Sequence, residues 1–599
     1  LETETDLKEG ATITRELGGT DRLIVAPAEH PQAAASPTRS EHGEYRLHGP
    51  PGTGKTHALT TRWVPRALAR CRPWGRPVLI ASLTHTASRE IAGRLGDDPL
   101  VHARTLHSHA FKQLHRPRVV DRAVLERWNA RHTNWRMTQT SADPDEGEAP
   151  AVDAGVDRQA PGDELLAELD LCRHRMEEPP PKLQAFAQAW RDHLELEGAV
   201  DFTGMIEQAL AGARERLEHG APGHGMDPGV IIVDEAQDCS LLEQSLVRAW
   251  GQRAAFFVLA GDADQAIYEW RGASPQAFIG RDLPASSHFA LTQSYRLPER
   301  VHSLAVSWIR RLPDRHVVDY QPRAEEGHVE RVPHPITWDQ GILSLAHREL
   351  AKTQGSVMLL APCAYQLATA IKTLRQAGIP FHNPYRPHAA AWNPLAILRR
   401  AREFLEGLPM WAEERGERPR WWTIGELARW IRTLRSEAFP RGTKARIEAL
   451  YKDTPAGDRG RRVTFEELHA LWGGQQSWTG FEAAITDDPV RWLASSTMGT
   501  QAASLPYAIK VLERLAPGRS LTEAVIQDPK PRLVLGTIHS VKGGEADSVI
   551  LAPDLSRAQQ QVGERDAITR LFYVGLTRAR ERLVLLQPGM GGGVEWPGA

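Results

Sequence analysis

Short apolar runs, each followed by small or charged residues, recur along this chain. Residues 77–83 (P-V-L-I-A-S-L), 230–233 (V-I-I-V) and 256–260 are continuous rather than alternating. That pattern predicts strands buried on both faces of a parallel sheet. Residues 44–47 predict a shorter strand, and 289–296 (F-A-L-T-Q-S-Y-R) another. A second series begins at 357 with V-M-L-L-A and resumes at 532–535, 548–552 and 583–586. Helical patterns fall between them, at 87–95, 119–135, 165–196 and 365–376. Strands alternating with helices predict an α/β fold. Two mostly helical blocks, 112–199 and 400–528, interrupt it. Within the first, 140–164 is acidic and rich in Gly, Pro and Ala, which predicts a mobile loop. Residues 1–40 are polar and predict little order.

Composition narrows the class. A chain of 599 residues with 41% hydrophobic and 25% charged content is globular and too long for one core. Its net charge of −2 gives no global signal for nucleic acid, so any such surface must be local. No apolar run approaches membrane-spanning length, and no signal-peptide pattern opens the chain. The cysteines, Cys71, Cys172, Cys239 and Cys363, are scattered without a C-x-x-C pair. This argues against a zinc or iron–sulfur site and for a reducing, cytoplasmic setting.

The first chemistry sits at the end of the first strand. Gly49, Pro50, Pro51, Gly52, Thr53, Gly54, Lys55 and Thr56 form a G-x-x-x-x-G-K-T loop, with His57 next. Such a loop wraps a phosphate chain with backbone N–H groups and aims a helix N-terminus at it. Lys55 is placed to reach the β- and γ-phosphates and Thr56 to ligate Mg²⁺. The run 230–233 leads straight into Asp234-Glu235-Ala236-Gln237-Asp238. Adjacent carboxylates at a strand end are costly to desolvate unless a metal or a proton uses them. Asp234 suits water-mediated Mg²⁺ binding and Glu235 suits proton abstraction from the attacking water. An acidic strand-to-helix cap is the plain alternative. Gln265, in Gly261-Asp262-Ala263-Asp264-Gln265, is placed to sense the γ-phosphate, and Arg296 to complete the charge around it. Gln32 can read an adenine edge or be a solvated loop residue.

Other residues suit a nucleic acid. Tyr268 and Trp270, beside Arg271, offer aromatic faces on which bases stack whatever the sequence; a core role is the alternative. Thr84 and His85, with Thr86, and the 105–109 cluster containing His107 follow strand ends. They suit backbone phosphate contacts or, equally, helix N-caps. Residues 400–528 interleave Trp411, Trp421, Trp422, Trp430, Trp472, Trp478 and Trp492 with arginines. This is either a phosphate-gripping face or tryptophan core under solvated arginines, and residue by residue the second is favoured.

The blocks G-P-P-G-T-G-K-T, D-E-A-Q-D, G-D-A-D-Q-A-I-Y-E-W-R-G-A, T-I-H-S-V-K-G-G-E and Y-V-G-L-T-R-A-R, in this order, resemble the UvrD/Rep/PcrA family of superfamily-1 DNA helicases. The resemblance implies two RecA-like P-loop motor domains with parallel sheets, each interrupted by a helical insertion. The boundaries would be 1–111 with 200–290, 112–199, 291–399 with 529–599, and 400–528. It implies ATP and Mg²⁺ between the motors, with Lys55, Thr56, Asp234, Glu235 and Gln265 on one side and Arg296 and Arg578 on the other. Tyr295 would stack on adenine and Glu545 would bind the ribose. Thr84, His107, Tyr268, Trp270, Thr537 and His539 fall in blocks that line the single-strand path. The implied partner is single-stranded DNA and its junctions with duplex, the form a monomer or weak dimer, and the movement 3′ to 5′. The block at 82–88 (S-L-T-H-T-A-S) departs from the family's T-F-T-N-K-A-A, and K-G-L-E becomes Lys542-Gly543-Gly544-Glu545. An ATP-switched clamp with little unwinding, or an RNA-directed motor, is the competing reading.

Overall fold

The computed structural model describes residues 43–82, 91–96, 98–138, 160–219, 227–386, 392–408, 421–486, 489–497, 500–515, 531–556, 559, 565–589 and 592–597. Gln32, Thr84 and His85, most of the predicted loop at 140–164, Trp411, Arg418 and Arg420 lie outside them. The chain divides into two compact units. One comprises Leu1–Pro333, Leu360–Tyr365 and Thr537–Ala599; the other comprises His334–Leu359 and Gln366–Gly536.

The first unit is built on a six-stranded sheet. Its strands are β1 (Gly43–His48), β2 (Val78–Ser82), β3 (Val101–Thr105), β4 (Val230–Val233), β5 (Phe256–Gly261) and β6 (His288–Ala290), in the order β3-β2-β4-β5-β1-β6. Every neighbouring pair is parallel. The continuous apolar runs are the central strands β2, β4 and β5, each buried along its whole length. Apolar cores cover both faces, one around Leu246, Ile206 and Phe278, the other around Leu59, Ala67 and Val258. The C-terminal ends of β4, β5 and β1 therefore lie side by side, which is where open α/β sheets bind ligands.

The run at 289–296 is not one strand. β6 ends at Ala290, and β7 (Gln293–Pro298) pairs instead with β8 (Gln321–Arg323). The break falls where Leu291 N–H donates to His48 O and Thr292 O accepts from Gln321 N–H, so the chain changes sheets over two residues. Beyond it, β9 (His328–Arg331), β13 (Ala546–Leu551) and β14 (Ala579–Leu585) form a second parallel ladder, with β14 between the other two. Ala552 N–H donates to Leu360 O and Ile538 N–H to Ala361 O, tying the end of β10 (Val357–Ala361) to this ladder.

The predicted helix 165–196 is two helices, Pro161–Arg175 and Pro181–Glu197. The intervening E-E-P-P-P run removes donors and fixes φ, which ends the first and starts the second. They pack on Arg122–Arg131 around Trp128, Phe186 and Trp190. Arg173 ties this helical insertion to the sheet region. It donates to both oxygens of Asp201 (2.9 and 3.1 Å) and to Glu207 (2.7 and 3.0 Å), while Trp190 Nε1 donates to Asp201 (2.8 Å).

In the second unit β11 (Phe381–His382) pairs in parallel with β12 (Leu533–Thr537). Trp422, Trp430, Trp472 and Trp478 are buried, with the Trp472 and Trp478 rings 5.1 Å apart. Arg432 and Arg461 are paired with Glu448 and Glu467. These four tryptophans are core, as the residue-by-residue reading favoured.

Arg173→Ala would leave Asp201 buried without its cation. It should cost about 3–5 kcal/mol, measured as a lowered urea midpoint of the first unit's transition.

Candidate active site

The loop after β1 is held from both ends. Gly49 N–H donates to Gly261 O (2.9 Å), joining it to the end of β5. Gly52 and Gly54 have φ of +72° and +79°, a region that side chains with a Cβ rarely adopt. A Cβ on Gly52 would stand 2.3 Å from Arg296 Cβ and 2.8 Å from Ser294 Oγ. β7 thus docks directly on the loop: Ser294 Oγ donates to Pro51 O (2.8 Å) and Tyr295 N–H to Gly52 O (2.8 Å). Thr53 closes the turn on Pro50 O, and His57 is exposed.

Lys55 Nζ donates to Gly49 O (2.9 Å) and lies 3.8 Å from Glu235 Oε1. Thr56 Oγ1 donates to Asp234 Oδ2 (3.0 Å). Glu235 sits at φ +54°, an uncommon conformation for a residue with a Cβ and one found at functional sites. Gln237 donates to Glu235 Oε2 (2.6 Å), and its own oxygen accepts from Asp262 N–H (3.0 Å). Gln265 Nε2 donates to Asp262 Oδ2 (2.7 Å), and Gln265 Oε1 accepts from Arg578 Nη2 (2.7 Å). An unbroken polar relay therefore runs from Lys55 through Glu235, Gln237, Asp262 and Gln265 to Arg578.

The two adjacent carboxylates are driven apart. Burial, then the neighbouring Glu235 charge, raises the Asp234 carboxyl to about 6. Burial also pushes Glu235 upward, but Lys55, Lys542, Gln237 and Arg578 outweigh it and hold Glu235 ionised. Glu235 is thus ionised, with its proton affinity lowered while these cations face it. Asp234 and the Thr56 hydroxyl bring two oxygen donors together, the kind of set that suits a Mg²⁺ taking most of its other ligands from water and phosphate. Among the described residues no cluster of three or more His, Cys, Asp or Glu could hold a metal ion.

Arg296 donates through Nε to Glu545 (2.7 Å) and through Nη1 to Thr577 O (3.4 Å). Glu545 also accepts from Arg580 (2.9 Å). Tyr295 is 71% exposed, a free ring beside the loop. The structure thus gathers Lys55, Thr56, Asp234, Glu235, Gln265, Arg296, Tyr295, Glu545 and Arg578 around one loop.

The nucleic-acid residues fare unevenly. Trp270 is 38% exposed, but Tyr268 is buried beneath it, with Lys542 5.1 Å and Arg271 5.9 Å from its ring. Tyr268 therefore supports Trp270 and offers no free face. His107 is buried against Phe202 because it lies on the inward side of the helix Leu106–Gln113. Thr105 is that helix's N-cap, accepting from Ser108 N–H (3.2 Å). The Thr537 hydroxyl accepts from Ser540 N–H (3.1 Å), and His539 lies 5.9 Å from the Tyr268 ring.

Sequence reasoning gave no role to Lys542, Asp238 or Arg315. Lys542 bonds to the buried Asp238 and to Gln265 O, and Arg315 forms an ion pair with Asp264. Lys542 and Arg315 find their partners far away in sequence, so no local signal marked them.

The UvrD/REP helicase N-terminal domain model matches residues 30–282, and the UvrD-like helicase C-terminal domain model matches 533–586. The chain belongs to the UvrD-like superfamily-1 helicases. This UvrD-like chain is 40% identical over 101 residues to the ATP-dependent DNA helicase Rep of Salmonella typhimurium, covering 16% of the chain and 14% of the relative. It is 24% identical over 311 residues to the ATP-dependent DNA helicase PcrA of Bacillus subtilis, covering 48% and 40%. It is 30% identical over 135 residues to DNA helicase II of Salmonella typhimurium, covering 20% and 17%. The chain thus spans well under half the length of each of these relatives. Among the described residues no helix is long and apolar enough to cross a membrane.

Gly52→Ala adds both αL strain and the clash with Arg296. It should weaken binding of a fluorescent ATP analogue about tenfold or more. Gly75→Ala, at φ +61° with open space around its Cβ, should leave that binding unchanged.

A pH effect follows from His48, His288 and His316. These rings pack together behind the loop, with His48 Nε2 3.0 Å from His288 Nδ1 and the His48 and His316 centroids 4.3 Å apart. Burial, then His288 and nearby arginines, lowers His316 from 6.5 to about 4. The unfolded chain then binds more protons between those values, so stability must fall as pH drops from 6.5 to about 4. His316 accounts for on the order of 3 kcal/mol of that fall, and denaturant titrations of His316→Gln should show a shallower dependence.

Proposed function

We propose that this chain is an ATP-dependent motor that travels 3′ to 5′ along single-stranded DNA and unwinds duplex ahead of it. The observation that carries this reading is the relay from Lys55 to Arg578, with Trp270 exposed a few residues past Gln265. The printed names of the relatives, ATP-dependent DNA helicases, support the same reading.

The motors are taken as 1–111 with 200–290 and 291–399 with 529–599. The helical insertions are 112–199 and 400–528. Gly49 to Thr56 cradle the triphosphate, Tyr295 stacks on adenine, and Glu545 meets the ribose. Thr56 and Asp234 would hold a Mg²⁺, which would supply charge neutralisation to the triphosphate. Glu235 takes the proton from the water that attacks the γ-phosphorus. Lys55, Arg296 and Arg578 meet the negative charge that develops as the bond to the β-phosphate oxygen breaks. Gln265 sits between Arg578 and Asp262, so loss of the γ-phosphate is felt at the 268–271 segment. Trp270 then releases one base and takes the next, with Tyr268 and Lys542 as its support. Binding is sequence-tolerant and weakens with salt.

Lys55→Ala should abolish ATPase activity, and Arg578→Ala should lower its rate about 10³-fold or more without unfolding the chain. Single-stranded DNA should raise the wild-type rate more than RNA of the same sequence. Strand displacement should occur on a 3′-tailed duplex and not on a 5′-tailed one. Equal ATPase rates with and without DNA would refute the motor. DNA-stimulated hydrolysis with no displacement on either duplex would favour the clamp.

A further inference from the structure

The net charge of −2 hides a strongly basic surface on the first unit. It begins on β3, the edge strand of the first sheet, and continues through the helix Leu106–Gln113 into the turn that leads to the helical insertion. Arg104, Lys112 and Arg116 are all exposed there. None of the three has an anionic partner among the described residues. Ordinary surface cations sit near carboxylates, and three adjacent ones without any is a costly arrangement unless an anion is supplied from outside.

Two further observations point outward. His115 and Arg116 are consecutive non-glycine residues at φ +57° and +62°. Each such residue costs of order 1–3 kcal/mol, and such strain clusters where a side chain must be aimed. The turn is locked by His115 N–H on Lys112 O and Arg116 N–H on Phe111 O, so the exposed Arg116 side chain is held at a fixed place. Next, Arg118, Arg127 and Arg131 all converge on one carboxylate, Glu197, at 3.9, 2.7 and 3.4 Å. Glu197 is largely covered while the three arginines are nearly half exposed. Arg118 also lies 3.8 Å from Asp121, so two acids pre-orient three cations and still leave an excess of positive charge facing solvent. The mutual repulsion is visible at Lys112, whose ammonium is lowered by burial and then by Arg104 and Arg116.

We propose that Arg104, Lys112 and Arg116, continued by the arginines around Glu197, form a docking strip for the phosphate backbone of duplex DNA. The strip uses none of the residues of the nucleotide loop or of the Trp270 segment, and it rests on the motor reading above. Duplex is favoured over single strand because no large exposed aromatic lies along 102–131 among the described residues. Single strands are gripped by stacking on such faces, whereas a duplex offers a denser line of phosphates and no free base faces.

The test uses the full chain and two DNAs, a 3′-tailed duplex and the isolated tail. Affinity is measured by fluorescence anisotropy between about 50 and 200 mM salt, the range over which phosphate contacts dominate. The variant Arg104→Gln/Lys112→Gln/Arg116→Gln should lower the slope of log affinity against log salt on the tailed duplex by about 2–3, at about 0.9 per lost contact. Its affinity for the isolated tail, and the ATPase stimulation by that tail, should match wild type. Arg104→Lys/Arg116→Lys should keep the wild-type slope. An unchanged slope in the triple variant overturns the strip. An equal loss on the isolated tail also overturns it, assigning these residues to the single-strand track. Failure of the strip alone leaves wild-type binding and stimulation intact, whereas failure of the motor reading would show as no stimulation in wild type.

Discussion

The site depends on one constraint: charged groups buried at the ends of β4 and β5 must each find a partner. Asp238, Asp264 and Gln265 are buried, and Glu269 lies at the edge of the same region. Their partners, Lys542, Arg315, Arg578 and Arg570, all come from beyond β7. In low dielectric an unpaired member of such a set is expensive, and breaking a buried pair costs more than making it gains. The segments around β4 and β5 and those around β13 and β14 are therefore tied to each other through polar contacts. Polar contacts can exchange partners when an anion arrives; packed side chains cannot do so without opening a cavity. A phosphate entering beside Lys55 would compete for the same cations that Glu235, Gln265 and Glu545 hold without it.

Much of this was legible in the sequence. Continuous apolar runs gave β2, β4, β5 and the start of the second ladder, because a strand buried on both faces has no polar positions to confuse its pattern. The phosphate loop was legible because its glycines are conformational requirements, and Gly52 is needed for space as well as for φ. The break between β6 and β7 was not legible. Leu291 and Thr292 carry no turn signal, and the chain leaves the first sheet between the Leu291 N–H bond to His48 O and the Thr292 O bond from Gln321 N–H. The burial of Tyr268 and His107 was left open by the sequence: an aromatic beside a glutamine and aspartates reads the same whether it faces solvent or supports a neighbour. Lys542 and Arg315 pair with residues some 300 and 50 positions away, a distance no local pattern spans.

Charge is distributed in the same spirit. In the tryptophan- and arginine-rich block of the second unit, Trp422, Trp430, Trp472 and Trp478 are core, and Arg432 and Arg461 are paired with carboxylates. The strip from Arg104 to Arg131 is less conspicuous in sequence, because its members come from a strand, a helix end, a left-handed turn and a second helix. Folding alone assembles it.

The central claim is that hydrolysis at the Lys55–Arg578 relay is converted into travel along a strand. The most direct measurement is stopped-flow arrival of the protein at a fluorophore on the 5′ end of single-stranded DNAs of increasing length, with ATP added. The account predicts a lag that grows in proportion to strand length, with no such lag when the fluorophore is on the 3′ end. A signal independent of length would contradict it.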